Sequence, residues 1–333
     1  MLIPRNGHDA SGIPLAARPT TTMHIERSLR IRTLTLVKPP RTRRHSAPTG
    51  MQLAVGLILC AIGTAAAMAA DAGSAAALRA SYAAQQPEIE KNKFGEPLTL
   101  QSRETSNTLQ GDIYALIDQP FARGQGALAE PKSWCDILIL HPNVKRCRLN
   151  AVDAGGAPSM TVNLGRAELA VQFSYKADVK TADYLDVRLD SPTGPFGTTD
   201  YRIRLEAAPM DAQHTILHLA YSHGYGLRAK LAMQAYFNTL ARGKVGFTVV
   251  DRDAQGRPVY VSGLRGGLER NAMRYYASIE SYLDSLATPA QQQLERRLRH
   301  WYVYTERYPL QLQEEPGYLD VKRKEAQRAQ SQG

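Results

Sequence analysis

Three stretches of this chain alternate apolar and polar residues with a period of two, and a single long helical pattern follows them. Leu169, Val171, Phe173 and Tyr175 alternate with Ala170, Gln172 and Ser174, and Leu185, Val187 and Leu189 with Asp186 and Arg188. Tyr201, Ile203, Leu205 and Ala207 alternate with Arg202, Arg204 and Glu206. Strands of this kind have one dry and one wet face, so they belong to an antiparallel sheet packed on something else. The cover is supplied by Leu264 to Leu286. There Leu268, Ala272, Tyr275, Ile279, Tyr282, Leu283 and Leu286 recur at spacings of three and four and make one apolar stripe. The fold class expected is therefore α+β, an antiparallel sheet packed on a long helix near the C-terminus.

Shorter signals fill in the order. Ser74 to Gln86 is Ala-rich and helical, stopped by Pro87, and Leu98 to Thr105 and Gly111 to Asp118 are strand-like. A helix runs from Phe121 to Glu130, and Pro131 ends it. Leu227 to Ala241 is helical, and Gly246 to Gly263 forms a hairpin about Gln255-Gly256. Thr288 and Pro289 open a further helix through Leu294, Leu298, Trp301 and Tyr302. Beyond Pro316 the chain is charged and poor in apolar residues, which predicts a frayed tail.

Ahead of these elements lies a segment that reads as an export signal. Leu53 to Ala69 carries no charge, follows Lys38, Arg41, Arg43 and Arg44, and closes on Ala67-Met68-Ala69. That order is a basic region, an apolar region and a small-residue cleavage site. An uncleaved membrane anchor is the alternative, since the run reaches the lower limit for a span. Cys60 follows Leu59 rather than a small residue, which argues against lipid attachment. The organisation expected is a leader over 1–69, a helix and connection over 70–97, the sheet and long helix over 98–287, and a helical extension and tail over 288–333. The location expected is the periplasm or outside the cell, with membrane contact only if the leader stays attached.

Charge excludes one class of partner. The whole chain has a formal net charge of +10, but residues 1–69 hold nine of its 41 basic side chains and only two of its 31 acidic ones. The remainder is almost neutral and offers no electrostatic footprint for nucleic acid. In an exporting compartment Cys135 and Cys147 form a disulfide around His141-Pro142-Asn143, worth about 3 kcal/mol by loop entropy. The alternative is two separately buried thiols.

Several side-chain groups are candidates for chemistry. Arg265, Glu269, Arg270, Asn271 and Arg274 occupy three turns of the long helix, where Arg270, Asn271 or Arg274 could orient the polar end of a ligand or form a solvated polar face. The tyrosines, Tyr201, Tyr221 and Tyr275 among them, either line a pocket or pack in the sheet. His214 and His218 lie roughly 13 Å apart along a strand, so they cannot share one metal ion, and no cofactor is implied. Tyr201 with Asp200 and His218 is the only set resembling an acid and base. With no nucleophile elbow, phosphate loop or dinucleotide fingerprint, an enzyme is the less favoured reading.

The segment Ile117 to Trp134, IDQPFARGQGALAEPKSW, resembles the START/SRPBCC superfamily, in which a strand leads through Pro120-Phe121 to a helix and then to Leu128, Pro131 and Trp134. PTGPFGTTDYRIRLEA, GKVGFT and GLRGGLERNAMRYYASIESYL are similar to an exported subgroup of it. The resemblance covers Leu98 to Leu286 and implies a helix-grip fold, a curved antiparallel sheet wrapped on the long C-terminal helix with a cavity between them. A lipid or other hydrophobic small molecule would fill that cavity, lined by Phe173, Tyr201, Tyr221 and Tyr275. The hairpin Gly246 to Gly263 and the extension after Thr288 depart from the family pattern and could cover or fill the space. A filled interior would instead suit a non-catalytic module that contacts an envelope protein through these additions, and a hydrolase or cyclase is the remaining alternative.

Overall fold

The computed structural model describes residues 73–152, 156–239, 241–314 and 316–331. The expected leader, 1–69, lies outside them. By internal contacts the chain divides into Met1–Ala65 and Ala66–Gly333, and every described residue belongs to the second unit.

Eight strands form one sheet: β1 (Leu98–Glu104), β2 (Thr108–Ile117), β3 (Val144–Leu149), β4 (Ser159–Leu164), β5 (Leu169–Thr181), β6 (Tyr184–Thr193), β7 (Thr198–Pro209) and β8 (Thr215–Tyr225). Their spatial order is β1-β2-β8-β7-β6-β5-β4-β3, antiparallel throughout. The register explains the alternation. Ile113 pairs with Leu219, Leu219 with Leu205, and Leu205 with Val187, a row of buried apolar side chains across four strands. The next row, Tyr114, His218, Glu206 and Asp186, lies on the opposite face, because successive residues of a strand alternate sides.

The inner face is covered in two parts. Helix α6 (Gly263–Ser285) crosses β1, β2 and β8, while α3 (Phe121–Ala129) crosses β5, β6 and β7. Pro131 does end α3, but it also occupies the first turn of α4 (Pro131–Leu138), where its missing N–H costs nothing. The Trp134 indole donates to the Leu128 carbonyl at 2.9 Å and ties the two helices together. On the outer face, α1 (Ala75–Ala84) sets Ala75, Leu78 and Tyr82 on Tyr184, Ala208 and Ile216, and α2 (Gln86–Lys91) adds Ile89.

After β8 come α5 (Leu227–Asn238) and the expected hairpin, β9 (Val249–Arg252) with β10 (Pro258–Tyr260). The extension forms α7 (Ala290–Glu306), α8 (Pro309–Leu312) and α9 (Tyr318–Ser331). The expectation of a frayed tail is corrected here. Tyr318 stacks on Trp301 with ring centroids 4.6 Å apart, and Lys322, 1% exposed, donates to the backbone carbonyls of His141 and Val144. A few well-placed apolar and cationic groups suffice to dock a helix whose other residues stay wet. Because α7 lies along α6, the polar side of the long helix is buried too, and a solvated face is not what the structure shows. Among the described residues no helix is long and apolar enough to cross a membrane.

Candidate functional site

One end of the sheet–helix interior is polar and aromatic. Strand β8 brings Tyr221 and His223 to the inner face, β7 brings Tyr201, and α6 brings Asn271 and Tyr275. His141 enters from the loop between α4 and β3. That loop is closed by a disulfide from Cys135 on α4 to Cys147 on β3, whose Cα atoms are 5.1 Å apart. The rings form a chain: His141 lies 4.6 Å from Tyr275, Tyr275 5.2 Å from Tyr221, Tyr221 6.4 Å from Tyr201, and Tyr201 4.9 Å from His223, stacked.

Tyr201 is aimed by its backbone. A register shift between Thr199 and Arg202 marks a bulge, with Asp200 at φ +50. Gly194 makes room for the ring, since a Cβ there would stand 2.2 Å from Tyr201 Cε2. Thr198 Oγ1 donates to the Tyr201 hydroxyl at 3.2 Å.

The electrostatics of this end favour neutral groups. Burial first, then the Arg274 and Lys322 cations, hold the His141 imidazole well below its ordinary 6.5. Burial also lowers His223 and lifts the Tyr221 and Tyr275 hydroxyls above their usual range. His141 Nδ1 accepts from the Asn143 N–H at 3.1 Å. The Asn271 carboxamide approaches both His141 and the Tyr221 hydroxyl, yet His141 Nε2 closes no hydrogen bond, and neither does His223 Nδ1. Because Nδ1 of the neutral His141 accepts, its proton sits on the open Nε2, which can donate to a hydroxyl, carbonyl or carboxylic acid.

The residues expected at the site divide into three groups. Tyr201, Tyr221, Asn271 and Tyr275 are brought together. Arg270 and Arg274 are engaged by the C-terminal extension: Arg270 Nε donates to the Gln311 carbonyl at 2.8 Å, and Arg274 pairs with Glu314. Burial and the neighbouring Arg274 lower Arg270 to about 10. Phe173 is buried on β5, opposite Met160, in the part of the sheet covered by α3.

Tyr201 and His218 lie on opposite faces of the sheet, so with Asp200 they do not form one acid–base site. His218 instead bridges Glu206, at Nδ1 and 2.8 Å, and Asp112, at Nε2 and 3.1 Å. The carboxylates take opposite ring nitrogens and leave no common vertex for an ion. His141 and His223 are the members that the sequence did not place at a ligand site. His223 shares the parity of Leu219 and Tyr221, which is a usable signal, whereas nothing local marks His141.

The apolar remainder of the interior is, among the described residues, closely packed, with Ile113, Leu205, Leu219 and Ala272 no more than 1% exposed. Among the described residues, a cavity of about 10 Å³ lies between Ile117, Phe121, Leu128, Leu217 and Leu283, room for about one water molecule.

No protein-family model matches the chain, and no curated protein matches it. Solved structures similar to it include a conserved protein from Geobacillus kaustophilus (12% identity, 53% of this chain and 95% of that chain, TM-score 0.32). A START superfamily protein from Mycobacterium smegmatis (14%, 41% and 93%, 0.27) and a truncated norcoclaurine synthase from Thalictrum flavum (13%, 42% and 91%, 0.30) are also similar. The fold itself is defined by strand order, register and the helix laid across the inner face. The chain has an α+β helix-grip fold, an antiparallel sheet with a long C-terminal helix laid across its inner face.

Proposed function

We propose that the protein is exported and binds a small, mostly apolar molecule whose single polar group is held by Asn271, Tyr221 and His141. The observation that carries this reading is the open Nε2 of a fully buried, neutral His141 beside a carboxamide and tyrosine hydroxyls. A buried polar atom without a partner costs about 1–3 kcal/mol, and a ligand group that pairs with it recovers that cost. Apolar walls of sheet and helix supply the remaining affinity. Because the apolar space is filled, a ligand of lipid size requires side chains or the covering elements to move outward. Export is supported by the charge-free run ending at Ala69 and by the Cys135–Cys147 disulfide.

Native mass spectrometry of protein purified from its host tests the binding. The expected result is a bound small molecule whose occupancy falls about tenfold in Asn271→Ala and Tyr221→Phe, the effect of one lost buried hydrogen bond. Repeated recovery of empty protein, with no uptake of added apolar probes, would overturn it. N-terminal sequencing tests export and is expected to begin near Ala70.

The packed interior favours a second reading, a binding module that works through its surface additions. Pull-down from envelope extract with and without Gly246 to Gly263 distinguishes the two: partners lost only in the deletion, from a protein that carries no ligand, would support the module.

A further inference from the structure

Helix α5 is apolar on both sides, a pattern that ordinarily marks a helix covered all round. Its inner side is accounted for. Ala229 is buried, and the Phe237 ring lies so close to α6 that a Cβ at Gly267 would stand 2.3 Å from it. The outer side is not. Leu227, Leu231 and Ala235 follow one another at spacings of four, with Ala232 and Tyr236 beside them, and all are exposed, Leu227 by 73% and Leu231 by 58%.

The 3-10 turn Pro195–Gly197 packs against α5 and adds Phe196, 74% exposed. Phe196 sits at φ +58, a conformation that a bulky side chain adopts only at a cost. The segment that carries α5 has charge of one sign. No Asp or Glu occurs between Asp211 and Asp251, whereas Arg228, Lys230, Arg242 and Lys244 fall within that stretch, Lys230 half-buried and the others exposed.

We propose that the outer face of α5, together with Phe196, docks on an anionic lipid surface, with the apolar side chains entering the headgroup boundary and the cations meeting phosphate groups. Leucines and aromatics flanked by Lys and Arg without carboxylates make the pattern of an interfacial helix. A second copy on the same face would oppose cation to cation across a two-fold axis. The contact would be additional to any made by the leader and independent of a ligand in the interior.

Emission from Leu231→Trp in the otherwise unaltered full chain tests this, because Trp134 and Trp301 are 1% and 0% exposed and do not sense the surface. Unchanged circular dichroism confirms that this exposed substitution leaves the fold intact. The expected result is a shift to shorter wavelength, with quenching by brominated acyl chains, on phosphatidylcholine vesicles containing phosphatidylglycerol and not on phosphatidylcholine alone. High salt reverses it, and adding Arg228→Glu and Lys230→Glu raises the lipid concentration required at least about tenfold.

An unchanged emission from chains that sediment with the vesicles means attachment through the leader alone and overturns the proposal. An equal shift on neutral vesicles does so too. A shift that grows with protein concentration without lipid assigns the face to a second copy, and one produced by lipid-free envelope proteins but not by vesicles assigns it to a protein partner. Either outcome overturns it.

Discussion

Glu269 has no exposed surface, and every oxygen it carries is used. The Phe247 and Thr248 N–H groups donate to Oε2 at 2.6 and 2.9 Å, and the Thr248 and Ser102 hydroxyls donate to Oε1. Arg265 donates to Ser102 Oγ at 2.7 Å and lies 3.7 Å from the carboxylate. One side chain thus fastens the β9–β10 hairpin to the long helix and to β1. Glu269→Ala strands two backbone donors, so it is expected to cost roughly 3 kcal/mol in urea unfolding, and Glu269→Gln about half of that. Spacing alone identifies the i,i+4 attraction to Arg265. It does not reveal that the pair is buried, because the hairpin that buries it lies some twenty residues away.

At the scale of elements, α1 sits over a charged ladder on the outer face of the sheet. His218 stacks on Tyr114 at 4.2 Å and joins Asp112 to Glu206, which also receives the Tyr184 hydroxyl and pairs with Arg204. Burial opposes the charge on His218, but the hydrogen bonds it donates to Asp112 and Glu206, with their negative charge, outweigh it and raise the imidazole above 6.5. A raised folded-state value means stabilisation that is complete below the unfolded value of 6.5 and lost as pH climbs through the higher one. The unfolding midpoint of the wild type is therefore expected to fall above pH 6.5 relative to His218→Gln. A constant difference between the two at all pH values would refute the bridge. The alternation of β7 and β8 places His218 outward. That its neighbours are two carboxylates follows only from the pairing of β2, β7 and β8.

At the scale of the molecule, the C-terminal extension belongs to the same hydrophobic core as the sheet, through Trp301, Leu312, Tyr318 and Ala326. Lys322 is lowered to about 8, chiefly by burial, and is held by two backbone carbonyls and Glu325. A chain ending at Gly317 is expected to lose about 5 kcal/mol, from the apolar burial of Tyr318 and the pairing of Lys322, or roughly 10–20 °C in melting temperature. Calorimetry measures it, and an unchanged transition would show that α9 is not part of the cooperative unit.

The sheet and the long helix were legible in the sequence because periods of two and of 3.6 are local properties that a one-sided core imposes along each element. The disulfide was legible as well, since only two cysteines follow the charge-free run Leu53 to Ala69. Whether the space between sheet and helix is hollow was not legible. Its volume depends on how side chains from α3, α6 and β8 meet, none of them neighbours in sequence. The engagement of Arg270 and Arg274 by Gln311 and Glu314, and the meeting of His141 with Asn271, likewise arise from packing across more than 35 residues of chain. Local pattern therefore determined which faces are buried, and only the tertiary structure decided what each buried group touches.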